Sequence, residues 1–375
     1  MADPKAPAGL YVHFPFCRTK CPYCHFYSLP FRKDLFEIWL NGLKAEAGLQ
    51  ASSGFVFDTL YIGGGTPSLM EAGDIFRVLE ALGGGKARSF REFTLEANPG
   101  TGDAARLREW RDAGVDRLSI GVQSFDDRIL ETLGRDCTGR KAAAFIERTR
   151  EAGFGNIGLD LMIGVPTETE SSLRKTLRQV RDLRPEHVSL YILENIEGLP
   201  FDTFARAHPL EEDASAEAYD FMRAGLEEMG LRRYEISNFA REGRECLHNL
   251  KYWRYDPFLG FGPAACSHIG SVRWCNRADL ASWASALAGG GDFREDVLKL
   301  SPRERLREAL IFGLRLSDGI RFSVFRAKFG VDVLEAFGRE VEELRGEGLL
   351  ILEGDGLRIP EDKFLISNAV FSRFV

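Results

Sequence analysis

Residues 11–26, YVHFPFCRTKCPYCHF, contain the features that decide the fold. An apolar run over 9–14 predicts a buried β-strand. The loop that follows it places Cys17, Cys21 and Cys24 within eight residues. Thiolates bind soft metals, and three cysteines on so short a loop can hold three irons of a [4Fe-4S] cluster. The fourth iron is then left without a cysteine, so it is open to a substrate or cofactor.

A structural zinc site is the alternative for the same loop. It would be completed by His25 or by one of three distant cysteines, Cys246, Cys266 and Cys275. The residues around the loop favour the cluster, because a low-potential centre benefits from apolar surroundings. These neighbours are aromatic: Phe14, Phe16, Tyr23, Phe26 and Tyr27.

The composition is that of a folded globular protein, with 44% hydrophobic and 28% charged residues in a chain of 375. The chain has a formal net charge of -7 and so lacks the excess of basic residues that binding to a phosphate backbone requires. This argues against nucleic acid as a partner. The sequence has no run of 18 apolar residues, so it predicts no membrane span, and residues 1–8 do not resemble a signal peptide. We therefore expect a cytoplasmic protein.

The first half of the chain alternates short apolar runs with amphipathic helical patterns such as 36–49 and 173–183. This alternation predicts an α/β fold, a partial parallel (β/α)6 barrel over residues 1–200. The active face should lie at the carboxyl ends of the strands. The six predicted strands are 9–14, 57–62, 92–97, 116–122, 157–163 and 187–193.

The regular alternation of strand and helix patterns ends near residue 200, which predicts two further domains. An α+β extension over 201–298 contains a helix at 214–229 and a polar and aromatic segment at 248–268. A helical domain over 299–375 ends in two short strands, a pattern that resembles a winged helix. The predicted elements of this last domain are helices 303–313 and 331–345 and strands 349–352 and 357–359.

The cysteine loop resembles that of the radical S-adenosylmethionine (SAM) enzymes. The resemblance implies that the open iron chelates the amino and carboxylate groups of SAM, and that electron transfer from the cluster cleaves SAM to methionine and a 5′-deoxyadenosyl radical. The sequence GGGTP at 63–67 is similar to the family's glycine motif, which would place Gly64, Gly65 and Thr66 beside SAM. Residues without a Cβ atom allow that close approach, although an ordinary tight turn also explains the motif.

Further positions resemble the coproporphyrinogen-oxidase-like branch of this family. Each lies near the end of a predicted strand, where the branch has its SAM contacts. Glu96 and Asp160 would meet the ribose hydroxyls or the amine, and Arg135 would pair with a carboxylate. Taken singly, such residues are more often surface charges or helix caps. The positions that the resemblance assigns to SAM or the cluster are Tyr11, Tyr23, Glu96, Gln123, Arg135 and Asp160.

Residues 248–253, HNLKYW, match the HNxxYW segment, which in this branch is associated with heme. The resemblance implies a heme chaperone that binds heme, receives electrons from a donor and delivers heme to acceptor apoproteins. A neutral imidazole is a common heme ligand, so His248 is the predicted ligand. Helical spacing would set Tyr252 on the same face. A structural histidine in a loop stays open as the alternative.

The second function considered is that of the oxygen-independent coproporphyrinogen III dehydrogenase. That enzyme adds a fourth cysteine where this chain has Phe26, and it carries an N-terminal extension, whereas only eight residues precede the first predicted strand here. We therefore expect no decarboxylation, although reductive SAM cleavage is expected to remain possible. A third possibility is a heme-trafficking module that keeps the cluster for assembly or sensing.

Three positions depart from the branch. His25 stands where relatives have Asp, and Cys137 stands where they have His. Cys266 replaces a further histidine, with His268 two residues on. If that histidine helps to bind heme in relatives, the ligand here would be a thiolate or His268.

Overall fold

The computed structural model describes residues 7–50, 54–83, 90–211 and 213–375, so most of the segment assessed for a signal peptide lies outside the described residues. Six parallel strands, paired side by side in chain order, form the centre of one sheet. Their ends fall within two residues of the predicted ones, and the predicted α/β fold with an open parallel sheet is confirmed. The strands of this half are β1 (Ala8–Phe14), β2 (Phe16–Cys17), β3 (Leu29–Pro30), β4 (Phe57–Gly64), β5 (Glu92–Ala97), β6 (Arg117–Gln123), β7 (Ile157–Ile163) and β8 (His187–Ile192).

Helices cover the outer face of these strands. The helix over Glu170–Leu183 shows why: Leu173 and Val180 lie on one buried face, and a capping box between Thr169 and Ser172 fixes its first turn. The helices of this half are α1 (Lys33–Gln50), α2 (Ala72–Ala81), α3 (Ala104–Asp112), α4 (Asp127–Thr132), α5 (Gly139–Glu151) and α6 (Glu170–Leu183).

Each barrel strand has two different faces. Residues such as Leu60, Ile62 and Leu95 are fully buried against the helices. The alternate residues of the same strands face the barrel interior and are often polar, as at Tyr61 and Glu96. This period of two turns the interior of the barrel into a polar chamber.

The segment after β8 extends the same sheet at both edges. On one side β10 pairs antiparallel with β8 and with β9, and on the other β11 pairs parallel with β1 and is followed by three antiparallel strands. The sheet thus has a seventh parallel strand, β11, which the sequence analysis did not predict. The elements are α7 (Pro200–Ala207), α8 (Ala214–Glu228), β9 (Arg232–Arg233), β10 (Asn238–Ala240), α9 (Leu247–Trp253), β11 (Phe258–Phe261), β12 (Cys266–Ile269), β13 (Val272–Asn276), α10 (Leu280–Ala288) and β14 (Arg294–Lys299).

The C-terminal region has its own apolar core, which includes Leu310, Phe325, Val341 and Leu357. Helices surround a small three-stranded sheet. None of the described helices is long and apolar enough to cross a membrane. The elements are α11 (Pro302–Gly313), β15 (Ile320–Arg321), α12 (Phe322–Phe329), α13 (Val333–Gly346), β16 (Ile351–Glu353), β17 (Gly356–Arg358), a 3-10 helix (Glu361–Ile366), α14 (Ser367–Phe371) and a final 3-10 turn (Ser372–Phe374).

Candidate functional site

A cavity of about 440 Å³ opens at the carboxyl ends of the barrel strands, the edge predicted to be active. The cysteine loop, the glycine motif and the ends of β5 to β8 all line it. Most of the sequence-predicted site residues meet here: Cys17, Tyr23, Cys21, Cys24, Gly64, Gly65, Thr66, Glu96, Gln123, Arg135 and Asp160.

The three loop cysteines are free, partly exposed thiols. Two of their sulfur atoms accept hydrogen bonds: the Thr66 hydroxyl lies 3.6 Å from the Cys17 sulfur, and an Arg135 Nη1 lies 3.5 Å from the Cys21 sulfur. Burial raises the pKa of the Cys24 thiol. The loop thus presents three thiols and two hydrogen-bond donors at one end of the cavity.

Of the residues proposed to complete a zinc site, His25 lines this cavity. Cys246 is fully buried and donates to the Glu92 carboxylate at 3.3 Å, near the amino end of β5. Cys266 and Cys275 form a disulfide between β12 and β13, so neither offers a thiolate. This disulfide also corrects the expectation that Cys266 could serve as a thiolate ligand of heme.

The glycine motif is shaped by close packing against the first strands. A Cβ atom on Gly65 would lie 2.4 Å from the Phe16 carbonyl oxygen, and Gly64 adopts a positive φ of 111° beside the His13 ring. The Gly64 N–H donates to a Glu96 carboxylate oxygen at 2.9 Å. The absence of side chains here serves chain packing first, and it also leaves the Gly64 backbone facing the cavity.

Two carboxylates, Glu96 and Asp160, lie in the polar chamber. Glu96 accepts a hydrogen bond from the Tyr61 hydroxyl at 2.9 Å, and Asp160 accepts one from the Ser119 hydroxyl at 3.2 Å. Burial, together with the charge of Asp160, raises the pKa of Glu96 to about 7. Burial raises the pKa of Asp160 as well. The chamber therefore holds two acidic groups together with the buried guanidinium of Arg117, whose charge lowers the pKa of both and partly offsets the effect of burial.

Arg135 follows α4 in the chain and reaches the cysteine loop. One of its nitrogens donates to the Asn98 side chain at 2.9 Å and to the Gly121 carbonyl at 2.6 Å. Burial alone would lower its pKa, but Tyr23 and Cys21 outweigh that effect and raise it, so the guanidinium stays charged. It forms no ion pair with a carboxylate among the described residues.

Gln123 ends β6 with a positive φ of 66°, at a register shift between β6 and β7. A non-glycine residue in this region is uncommon, and such backbone strain is typical of functional sites. Tyr11 does not line the cavity: its hydroxyl contacts the Nδ1 atom of His13 at 3.1 Å, and its ring packs near Tyr61. Gln123 therefore lies in the site, as predicted, whereas Tyr11 does not line it.

The HNxxYW segment forms α9, which closes the barrel interior near the amino ends of the strands. The Glu92 carboxylate accepts the backbone N–H groups of Leu247 and His248 at 2.9 and 3.0 Å. The His248 ring is fully buried, with Nδ1 2.9 Å from the Thr59 hydroxyl and Nε2 2.8 Å from the Tyr252 hydroxyl. Burial lowers its pKa to about 3, so the imidazole is neutral.

The shared face of His248 and Tyr252 is as expected, but both ring nitrogens are occupied. A role of His248 as heme ligand stays a prediction, and it would require at least one of these hydrogen bonds to break. Of the HNxxYW residues, only Asn249 lines the cysteine cavity.

Several residues of the site were missed by the sequence analysis. Many of them share one signal, the alternation of inward polar residues along buried strands, which is visible in runs such as 117–121 and 187–191. The missed lining residues that follow this alternation are Tyr61, Asn98, Arg117, Ser119, Ser189 and Tyr191.

Fold and site together define a class, the radical SAM superfamily, whose family model matches residues 11–180. The model described as the HemN C-terminal domain matches residues 300–362. Within this class the chain belongs to the family of the heme chaperone HemW, as the sequence resemblance predicted. The superfamily carries a [4Fe-4S] cluster and SAM. The cavity offers the donor types that these groups need, three free thiols and two carboxylates, whereas no three such side chains in the described part of the chain are grouped closely enough to hold a single metal ion.

The relatives match over nearly the full chain. The heme chaperone HemW of Bacillus subtilis is 32% identical over 372 residues, covering 97% of this chain and 98% of that protein. HemW of Escherichia coli is 37% identical over 386 residues, covering 98% of each. The mitochondrial radical S-adenosyl methionine domain-containing protein 1 of Bos taurus is 34% identical, covering 94% of this chain and 83% of that protein.

Among solved structures, coproporphyrinogen III oxidase (HemN) from Escherichia coli matches with a TM-score of 0.86. The match covers 99% of this chain and 90% of that one at 23% identity, and it shows a shared fold.

Proposed function

We propose that this chain binds heme and delivers it to acceptor apoproteins, and that a SAM-binding [4Fe-4S] site is part of the same protein. The observation that carries the proposal is a three-cysteine cavity at the strand ends, in a chain whose relatives named heme chaperone HemW match over almost its full length. An electron donor would reduce the cluster. The acceptors would be apoproteins that need heme.

Cys17, Cys21 and Cys24 would each hold one iron. The hydrogen bonds that Thr66 and Arg135 donate to two of the sulfurs would then tune the reduction potential. When bound, the cluster and SAM supply one-electron reductive cleavage of a carbon–sulfur bond of SAM. The role of the chain is to hold both groups in a chamber closed at its other end by α9.

The other cavity residues would orient SAM. Glu96 and Asp160 present carboxylates to the ribose hydroxyls or the amine, and the Gly64 and Gly65 backbone lies beside them. Arg135, charged and without an ion pair in the described part of the chain, suits a carboxylate of SAM. Gln123 completes the contacts from β6, and Tyr23 covers the loop.

Porphyrinogen oxidation is the second candidate. The position that would carry a fourth cysteine holds Phe26, whose side chain lines the cavity and is 55% exposed. A phenyl ring cannot supply a thiol there. We expect the reduced protein, given SAM and coproporphyrinogen III, to release no carbon dioxide, and catalytic decarboxylation would favour this second function instead.

The direct test is a heme transfer assay on anaerobically reconstituted protein. The chain is loaded with hemin and mixed with an apo b-type cytochrome, and formation of the holocytochrome is followed by absorbance against a matched hemin–albumin control. We expect faster transfer from the protein than from albumin. A protein that takes up no hemin, or that transfers it no faster than albumin, would overturn the proposal.

A further inference from the structure

A second cavity, of about 410 Å³, lies between the edge strands of the large sheet and the C-terminal region. Residues of α9, β11, β12, β13 and α11 line it, and it has no cysteine of the metal loop. Its walls are largely aromatic: Tyr252, Trp253, Tyr255, Phe258, Trp274 and Phe312. A mostly apolar cleft of this size with a few polar groups is the usual form of a small-molecule site. We call it the aromatic cavity.

One buried imidazole in this cavity, that of His268, has a ring nitrogen that is itself buried and has no partner in the described part of the chain. His268 is 7% exposed, and its Nε2 atom has no hydrogen-bond partner among the described residues. The ring hydrogen-bonds the backbone of Gly270, and burial lowers its pKa to about 4, so it is a neutral imidazole. A histidine fixed through one ring nitrogen with the other nitrogen free is arranged as metal-binding histidines are.

Aromatic rings surround this imidazole. The centroid of the Tyr255 ring lies 4.3 Å from that of His268, and the Phe258 centroid lies at 6.0 Å. The Trp253 Nε1 atom is also buried without a partner in the described chain. Flat apolar walls beside a free imidazole nitrogen suit a flat macrocycle that carries a metal.

Charges around the cavity are mixed but include three cations near His268, namely Arg273, Arg305 and Lys328. Arg273 lines the cavity and pairs with Glu308 at 2.8 Å, and the buried Nε atom of Arg305 has no partner in the described chain. Acidic side chains line the cavity as well, at Glu308 and Asp296. Of the three cations only Arg273 lines the cavity, and Lys328 pairs with Asp256 at 2.5 Å.

The other ligand candidates are engaged. Both His248 nitrogens are hydrogen-bonded, and Cys266 is joined to Cys275. Cys266 is an exposed residue at this cavity, as is Leu298, 46% exposed, so the cavity has an open mouth.

We propose that the aromatic cavity is the heme site of this chain, with His268 Nε2 as the iron ligand and Trp253, Tyr255 and Phe258 against the macrocycle. This inference rests on the proposed function, because it names where the heme of that function binds. In this proposal Tyr252 and Trp253 of the HNxxYW helix form part of the wall of the heme site. His248 of the same helix is not an iron ligand.

The test is a hemin titration of the full chain followed by absorbance, for the wild type, His268→Ala, His248→Gln and His208→Ala. His208 is an exposed histidine of another region and serves as the matched control. We expect His268→Ala to lose the histidine-ligated spectrum. Its Kd should rise by at least the roughly 10–100-fold that follows loss of a mere hydrogen-bonding partner of a ligand. Added imidazole should restore the spectrum, and the other two variants should keep it.

Binding of metal-free protoporphyrin, followed by tryptophan fluorescence, separates ligation from folding. We expect His268→Ala to bind it as the wild type does, because the aromatic walls remain. If the wild type binds hemin and His268→Ala keeps its spectrum and affinity, the cavity assignment is overturned while the proposed function stands. If the wild type binds no hemin, the proposed function fails and this inference fails with it.

Discussion

The cysteine cavity and the aromatic cavity are built from different kinds of chain segment. The first is lined by the ends of regular parallel strands, whose carboxyl edges meet because the sheet has one direction. The second is lined by edge strands, a seven-residue helix and a helix of the C-terminal region. The first is polar and acidic at its base, and the second is aromatic with one free imidazole nitrogen.

The difference indicates a division of labour around one helix. α9 contributes Asn249 to the cysteine cavity and Tyr252 and Trp253 to the aromatic cavity. Between them, the His248 ring lies 5.4 Å from the Tyr61 ring and binds the Tyr252 hydroxyl. We expect changes confined to one cavity to leave the ligand of the other bound, unless they disturb α9.

The largest expected effect is that of removing all three loop cysteines. The variant Cys17→Ala/Cys21→Ala/Cys24→Ala should lose iron and sulfide completely after anaerobic reconstitution and remain folded, because these partly exposed side chains are outside the core. Hemin affinity should be unchanged. Cys137→Ala, a buried cysteine outside the loop, is the control and should keep its iron. Iron and sulfide retained in the triple variant, or zinc bound in their place in the wild type, would contradict the cluster assignment.

The second effect concerns α9, which serves both cavities. Replacing His248 with Ala leaves the Thr59 and Tyr252 hydroxyls without a buried partner, and each unpaired group costs roughly 1–3 kcal/mol. We expect a clearly lower thermal midpoint, measured by circular dichroism. Tyr252→Phe leaves only the His248 Nε2 unpaired and should lower it less. An unchanged midpoint in His248→Ala would show that the ring is not structural.

The third effect is a pH dependence restricted to the cysteine cavity. Because the pKa of Glu96 is raised to about 7, its carboxylate is neutralised as the pH falls through that value. If Glu96 binds the positively charged part of SAM, SAM affinity should weaken from pH 8 to pH 6. Equilibrium binding should show a flatter profile for Glu96→Gln, whereas hemin affinity should show no Glu96-dependent change. Equal slopes in wild type and variant would exclude this role of Glu96.

The smallest effect is that of Tyr61→Phe. Its hydroxyl donates to Glu96, a hydrogen bond that stabilises the charged carboxylate. Removing the hydroxyl should shift the midpoint of the SAM binding profile to higher pH while leaving the affinity at pH 8 nearly constant. A shift to lower pH would contradict the donor role of Tyr61.

The parallel core was predictable because buried parallel strands read as short apolar runs. Strands β5 and β7 coincide with their predicted ranges. The family resemblance assigned Glu96 and Asp160 to the site of Cys17, and all three line one cavity because the carboxyl ends of parallel strands share an edge. Tyr61 and Arg117 were missed, although they lie in the same alternating pattern of inward polar residues.

The features that could not be predicted depend on contacts between segments far apart in the sequence, and a local sequence pattern does not encode such contacts. β11 has four residues with a glycine among them, and it becomes a strand by pairing with β1. The His248 contact with Thr59 joins residues far apart in sequence, so a histidine in a known motif gave no sign that both nitrogens are bonded. The free Nε2 atom of His268 is likewise not visible in the sequence, because its surroundings depend on the pairing of β11, β12 and β13.

The pairing of β1 with β11 also concerns how the protein is made. β1 leaves the ribosome early, but its partner on this edge, from Phe258 onward, is synthesised only after the whole parallel core. Until then one edge of the nascent sheet displays unpaired backbone groups, the arrangement that invites association with other chains. A chain truncated at residue 200 would keep that open edge permanently and would also lack α9, so we expect it to aggregate rather than to fold as an independent barrel.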